Sequence, residues 1–218
     1  MRLEALVEEL VRSVSEAEVA EAQQEFFALT GPYESGDAWY EERSRAFFDW
    51  LVSEWQQGRV VRRFRDAEPR SEAELEACAG LLAHMRGIFR VEVHRAPGTD
   101  EARRVHCLIG GAAFALTNHE GGGARLREGD IFDGRVVAHA GAIELMPGPV
   151  FHPRRAHEAL LSVVQRAATE GRDARSVCDS LMRMRMRFDR FTSMQARHVY
   201  RFDALDRREI LAASWARG

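Results

Sequence analysis

The hydrophobic periodicity of the chain changes at Gly87, and this change constrains the fold more than any other feature of the sequence. Between residues 3 and 11, apolar side chains recur three and four positions apart, as on one face of an amphipathic helix. Between residues 89 and 94, apolar and polar side chains alternate, as in a half-buried strand. The helical pattern returns at Pro153. Helices on both sides of a block of short strands predict the α+β class.

Two helix starts in the N-terminal part carry the same signal. Ser15 is followed three residues later by Glu18, and Ser71 is followed three residues later by Glu74. Each pair has the spacing of a capping box, in which the two residues satisfy each other's backbone N–H groups. We expect the first of these helices to end near Thr30, before a Gly-Pro breaker.

An aromatic-rich segment separates these two helices. Residues 38–57 contain tryptophan, tyrosine and phenylalanine at helical spacing and predict one continuous helix. The helix that starts at Ser71 is expected to end at Gly87. Residues 1–86 are therefore predicted to form a helical region.

The central part is predicted to be a small antiparallel β unit over residues 87–150. About five short strands are expected there, which is enough for a curled sheet or a barrel. If the first two strands pair around residues 95–103, His106 lies opposite Glu92. The last two strands should join around residues 139–141.

The remaining residues, 151–218, are predicted to form an Arg-rich helical region. One helix should start at Pro153 and run to Gly171, since proline is favoured at the first helical position. A Met/Arg-rich helix follows it, and residues 204–215 predict a short terminal helix.

The segment from Leu181 to Phe202 combines Met, Phe and Arg at a density that an ordinary core helix rarely needs. At helical spacing its apolar and basic residues separate onto two faces, as in helices that dock on a partner groove or an anionic surface. We expect the partner-binding residues to be Arg183, Met184, Arg187, Phe188, Arg190 and Phe191. In the alternative interpretation, the apolar residues face the protein's own core and the arginines only solvate the outer face.

Charge is distributed unevenly along the chain, although the net charge is only −3. Residues 1–60 hold 13 acids against 5 arginines, and residues 171–218 hold 6 acids against 11 arginines. The two ends could attract each other within one molecule or between two molecules, which makes self-association a hypothesis. A basic C-terminal region also favours an acidic protein partner, while the net acidity disfavours nucleic acid.

Several features bear on the compartment. The three cysteines are far apart and odd in number, which is typical of reduced thiols. The chain has no apolar run of about 18 residues, so we predict no membrane span. The N-terminus is acidic and amphipathic, unlike a secretory signal. We expect a cytoplasmic protein.

A search for reactive groups gives one candidate anion site, where arginines and histidines surround a helix start. Its residues are His152, Arg154, Arg155 and His157. The best metal candidate, the three histidines at 94, 106 and 119, is disfavoured because paired strands would hold the first two apart. No nucleotide-binding loop, nucleophile motif or zinc spacing is found in the sequence, so we predict no cofactor and no metal.

Three segments carry a resemblance to a known group: AFFDWLV at residues 46–52, GIFRVEV at 87–93 and LREGDIFDGRVV at 126–137. Together they resemble largely uncharacterised bacterial proteins that often end in a SEC-C zinc motif, over about residues 40–150. The resemblance implies an aromatic helix, a connecting helix, a small β unit, and an accessory or regulatory role. The zinc site is not carried over, because residues 171–218 contain only Cys178. LREGDIFDGRVV is also similar to the first strands of an S1-type oligonucleotide-binding barrel.

We interpret the protein as a non-catalytic accessory or regulatory module that binds another protein through its Met/Arg helix. One alternative is a nucleic-acid-binding protein that uses the same arginines and the β unit. A second alternative is an enzyme with an unrecognised site near His152 and His157, which would require a deep pocket and a carboxyl group of shifted pKa.

Overall fold

A computed structural model describes residues 3–37, 39–94, 102–117, 120–121, 124–191 and 193–203. The helices are α1 (Leu3–Arg12), α2 (Glu16–Thr30), α3 (Tyr40–Ser53), α4 (Arg59–Ala67), α5 (Glu72–Leu82), α6 (His157–Thr169), α7 (Ala174–Arg190) and α8 (Ala196–Val199). The strands are β1 (Met85–His94), β2 (Ala102–Cys107), β3 (Ala113–Leu116), β4 (Glu120–Gly121), β5 (Ala124–Arg125), β6 (Ile131–His139), β7 (Ala142–Leu145) and β8 (Val150–His152). This order of helices, curled antiparallel sheet and helices confirms the predicted α+β class. The predicted terminal helix at residues 204–215 lies outside the described residues.

Both predicted capping boxes are present. The Ser15 hydroxyl accepts a hydrogen bond from the Glu18 backbone N–H at 3.3 Å, and the Glu18 carboxylate accepts from the Ser15 N–H at 3.1 Å. Ser71 and Glu74 make the same reciprocal pair at the start of α5. Each cap stabilises its helix by about 1 kcal/mol, so these short motifs fix where α2 and α5 begin.

The predicted continuous aromatic helix is interrupted. It ends at Ser53, a 3₁₀ turn follows over Trp55–Gln57, and Gly58 adopts a left-handed conformation with φ of +75°. The chain then enters α4, which was not predicted. A side chain at position 58 would be strained in this conformation, and its Cβ would lie 2.5 Å from Leu82 Cδ2.

The main sheet has the strand order β3-β2-β1-β6-β7, and β8 also pairs with β6. The predicted register of β1 and β2 is wrong by two residues, because His106 lies opposite Arg90 and Glu92 lies opposite Arg104. A shift of two residues keeps every side chain on the same face of the sheet. Alternation of apolar and polar residues therefore could not distinguish the two registers.

The first strand also begins earlier than expected. α5 ends at Leu82 and β1 starts at Met85, so Gly87 lies inside a strand and does not end a helix. A Cβ at Gly87 would lie 2.8 Å from Cys107 Sγ on the neighbouring strand. The glycine is needed for this close packing, which explains why a helix-stop signal was misleading here.

Helix α7 contributes to two cores. Met182 and Met186 are buried against residues of α1 to α5, together with Val137 and Val150 from the sheet. On its other side, α7 buries a second group of residues against α6, α8 and the sheet. A third cluster, which includes Phe89 and Phe132, covers the opposite face of the sheet. The sheet is thus buried on both faces, and α7 joins the N-terminal helices to the C-terminal helices.

Candidate functional site

The apolar half of the predicted partner surface lies inside the protein. Asp173 caps the start of α7 by accepting a hydrogen bond from the Ser176 N–H at 2.9 Å. Met184 and Phe188 are only 3% and 1% exposed, and both belong to the second core cluster. Phe191, just after the helix, is half-buried. In this conformation, the side of α7 that remains for a partner is basic and not apolar.

Two of the predicted binding arginines contact the C-terminal end of α2 and the loop directly after it. Arg183 donates to the Leu29 carbonyl at 2.5 Å and to the Ala28 carbonyl at 2.8 Å. Arg190 donates to the Pro32 carbonyl at 2.8 Å and lies 3.7 Å from Asp37. The carbonyls at a helix C-terminus lack partners within the helix and carry partial negative charge. These arginines therefore fasten α7 to α2, where the acidic N-terminal third and the basic C-terminal region meet within one molecule.

A third arginine reaches the same helix end from α3. Arg43 donates to the Thr30 hydroxyl at 2.8 Å and to the Gly31 carbonyl at 3.3 Å. Its guanidinium carbon lies 5.3 Å from the ring centroids of both Phe26 and Tyr33. The side chain is 1% exposed, and this burial lowers the pKa of Arg43 to about 10. Cation–π contacts and helix-end carbonyls stabilise the charge.

Three other arginines surround the C-terminal end of α7 and remain exposed: Arg155, Arg187 and Arg197. The guanidinium carbon of Arg155 lies 4.6 Å from the ring centroid of Phe188. Arg187 precedes that phenylalanine in α7, and Arg197 lies in α8, which packs against both α7 and the 3₁₀ turn of Arg155. Within the described part of the chain, no acidic side chain forms an ion pair with any of the three.

The four residues of the predicted anion site have separate partners. His152 is 3% exposed, and its Nδ1 lies 2.9 Å from the Tyr200 hydroxyl. Burial and the nearby Arg185 charge hold the pKa of His152 well below its usual value. His157 Nε2 lies 2.9 Å from the His152 carbonyl oxygen. Arg154 instead reaches the Glu128 carbonyl, at 2.8 Å, and Asp130, while Arg155 stacks on Phe188 as described above.

A carboxylate that the sequence search missed lies close to His152. Glu42 accepts a hydrogen bond from the Phe151 N–H at 2.6 Å, and burial raises the pKa of Glu42. Arg185 donates to the Phe151 carbonyl at 2.6 Å and forms an ion pair with Asp189. These contacts satisfy the backbone on both sides of Phe151 and tie β8 to α3 and α7. Glu42, Arg185 and Asp189 therefore hold β8, the strand that carries His152, in place.

A second missed group is a buried ion network centred on Glu54. Its carboxylate accepts a hydrogen bond from Arg135 Nε at 2.7 Å and lies 3.9 Å from Arg86 and 3.1 Å from Arg175. Arg86 also contacts Asp133 at 2.8 Å and Asp179 at 2.7 Å. Burial alone would raise the pKa of Glu54, but the Arg135 and Arg86 charges outweigh it and lower the pKa to about 2. The network joins the end of α3 to β1, β6 and α7.

The thiols and histidines elsewhere in the described residues give no further candidate. Cys78, Cys107 and Cys178 are buried free thiols, and burial raises the pKa of each. Across the part of the chain that the structure describes, no group of three or more His, Cys, Asp and Glu side chains is placed to bind a metal ion. Of the three histidines of the metal candidate, His94 and His106 lie 3.6 Å and 2.8 Å from Glu92. Residue 119 lies outside the described residues.

The fold and these contacts define an α+β protein in which helices cover one face of a curled sheet and exposed C-terminal arginines form the candidate site. The chain matches no protein-family model, and neither the curated proteins nor the solved structures give a significant match. Among the described helices, none is long and apolar enough to cross a membrane.

Proposed function

We propose that this protein is a non-catalytic accessory or regulatory module of the cytoplasm that binds an acidic partner protein through Arg155, Arg187 and Arg197. The observation that carries the proposal is the exposure of these three arginines without an acidic partner among the described residues. Arginine offers a planar group of five N–H donors that pairs with a carboxylate in two parallel hydrogen bonds. An acidic partner would complete these interactions. The resemblance to the SEC-C-bearing bacterial proteins belongs to the same proposal, since it implies an accessory or regulatory role.

The elements that carry the proposed surface are fastened to the rest of the fold. Arg187 is one turn from Arg183, which is fastened to α2, and Arg155 rests on the ring of a buried phenylalanine. A side chain that is already supported loses less conformational freedom when a partner binds. Met184 and Phe188 support the surface from beneath, a role that differs from the direct contact expected from the sequence.

The test compares two triple variants with the same change of charge. Arg155, Arg187 and Arg197 are replaced by Gln in one variant. The control replaces Arg62, Arg104 and Arg166, which are also exposed, by Gln. Tagged proteins are captured from a lysate of the source cells, and co-purifying protein and nucleic acid are quantified together. The proposal expects an acidic protein that the control retains and the first variant loses.

Other outcomes decide against the proposal. Equal capture by both variants would mean that these arginines only solvate the surface. Loss of nucleic acid, with a steep dependence on salt concentration, would support the alternative of nucleic-acid binding. A salt-dependent dimer in sedimentation experiments would indicate that the partner is a second copy of the chain, held by the acidic and basic regions.

A further inference from the structure

An open pocket lies between α1 and α3, on the side of the molecule formed by the N-terminal helices. Its volume is about 390 Å³, within the range of small-molecule sites. The lining residues are Glu4, Val7, Glu8, Val11, Arg12, Arg45, Phe48, Asp49 and Pro147. The five α1 residues are spaced as i, i+3, i+4, i+7 and i+8, and the three α3 residues as i, i+3 and i+4. Two helical faces therefore form the walls, and the loop between β7 and β8 contributes the proline.

One of the lining residues carries a buried carboxyl group. Asp49 is 1% exposed and accepts a hydrogen bond from the Gly148 N–H at 2.7 Å. A Cβ at Gly148 would lie 2.5 Å from the backbone of Arg45, so only glycine allows this loop to approach α3 so closely. Burial raises the pKa of Asp49 to about 7, although the Arg135 charge opposes the shift.

The charges at the rim are already partly paired. Arg12 lies 2.8 Å from Glu8, and Arg45 lies 3.4 Å from Glu41. Glu4 is exposed and forms no ion pair with another described residue. The lining thus offers one carboxylate without an ion pair among the described residues at Glu4, an aromatic ring at Phe48 and the almost fully buried carboxyl group of Asp49.

We propose that this pocket binds a small molecule with an apolar body and one protonated amine, with the amine placed on Asp49. An ammonium group complements a buried carboxylate by a charge-assisted hydrogen bond and contacts an aromatic ring favourably. The apolar body fills the space between Val7, Val11 and Pro147. An anionic ligand would instead meet like charges at Glu4 and at ionised Asp49.

The first experiment uses phenethylamine as the probe, titrated into the full-length protein and followed by calorimetry and by amide NMR. Phenethyl alcohol and hydrocinnamate have similar apolar bodies but are neutral and anionic. Binding of the amine in the range of about 1 mM or tighter, with the alcohol at least about tenfold weaker, is expected. Amide shifts should centre on Val7, Val11 and Gly148. No binding of the amine up to about 10 mM, or equal binding of the alcohol, would overturn the proposal.

The second experiment replaces Asp49 by Asn, which preserves an acceptor for the Gly148 N–H. Affinity for phenethylamine should fall by about tenfold or more, as expected for loss of a charge-assisted bond. Asp66→Asn is the matched control, because Asp66 is exposed and pairs with Arg65. Unchanged affinity in Asp49→Asn, with the fold verified by its NMR spectrum, would contradict the role of Asp49. The proposed partner surface lies on α7, α8 and the 3₁₀ turn of Arg155, so either proposal can fail without the other.

Discussion

Asp49 and Glu54 are two buried acids that lie close together in sequence, on the last turn of α3 and directly after it, yet their environments are opposite. Asp49 faces a pocket with one backbone N–H as its hydrogen-bond donor, and burial raises its pKa to about 7. Glu54 is also buried, but the arginines around it lower its pKa to about 2. Burial alone therefore does not determine whether a carboxyl group is charged. The number of guanidinium groups close to the carboxyl group determines whether it is ionised.

The largest expected loss of stability comes from neutralising Glu54, the charged acid of the pair. Glu54→Gln removes the carboxylate that faces Arg135 and leaves a guanidinium buried without its counter-charge. Arg86 keeps Asp133 and Asp179. We expect a loss of about 3–5 kcal/mol in the free energy of unfolding, measured by urea denaturation near neutral pH. Glu41→Gln, at an exposed ion pair, should cost less than about 1 kcal/mol. Equal losses in the two variants would show that the network contributes little.

A somewhat smaller change in the free energy of unfolding is expected from Asp49 at high pH. Its folded pKa of about 7 exceeds the ordinary value of 3.8, so the folded state holds the proton more tightly than the unfolded state. The resulting stabilisation is complete below about pH 4 and is lost as the pH rises through about 7. Asp49→Asn should remove this dependence and exceed the wild type in stability at pH 8, by up to about 4 kcal/mol. Parallel pH profiles of wild type and variant, measured by denaturation, would refute this.

At acid pH, Glu54 should make the free energy of unfolding fall as the pH falls, which is opposite to the effect of Asp49. The pKa of Glu54 is about 2 in the folded protein against an ordinary 4.5, so ionised Glu54 stabilises the fold above about pH 4.5. This contribution, about 3 kcal/mol, is lost as the pH falls from about 4.5 to about 2. Comparing the acid denaturation of wild type and Glu54→Gln isolates it. The difference between the two should shrink as the pH falls; a constant difference would assign the effect to packing.

The smallest effect tests how far the ion network extends toward solvent. Arg175 lies 3.1 Å from Glu54, but its side chain is 56% exposed. Water and salt screen such a contact, so Arg175→Gln should cost about 0–1 kcal/mol. The cost should decline further in high salt, which thermal denaturation at two ionic strengths would show. A cost equal to that of Glu54→Gln would place Arg175 among the main partners of the carboxylate.

Local signals in the sequence predicted much of the fold. The two serine caps gave the starts of α2 and α5, and the alternating pattern gave β1 and the hairpin of β6 and β7. The missed helix α4 follows a left-handed turn at Gly58, directly after the predicted helix of residues 38–57. Its buried Val60, Val61 and Phe64 were a signal that could have revealed it.

The sites depend on contacts that local patterns do not contain. Glu54 meets Arg135, 81 residues away, and Asp49 meets Gly148, 99 residues away. An acid in an amphipathic helix looks the same in sequence whether it faces water, a pocket or an arginine. The strand IFDGRVV did carry a signal, because Asp133 and Arg135 interrupt an otherwise apolar buried segment. Buried charges in such a segment require partners, but the sequence does not identify them.

The contacts of α7 with α2 have a consequence for how the chain is made. Arg183 binds carbonyls at the end of α2, and Arg190 binds the Pro32 carbonyl in the loop after it. Met182 and Met186 complete the N-terminal core. A ribosome synthesises α2 long before it reaches α7, so the earliest helices emerge with this part of their surface uncovered. Until α7 has left the exit tunnel, the apolar surface that Met182 and Met186 cover in the folded protein stays exposed on the N-terminal helices.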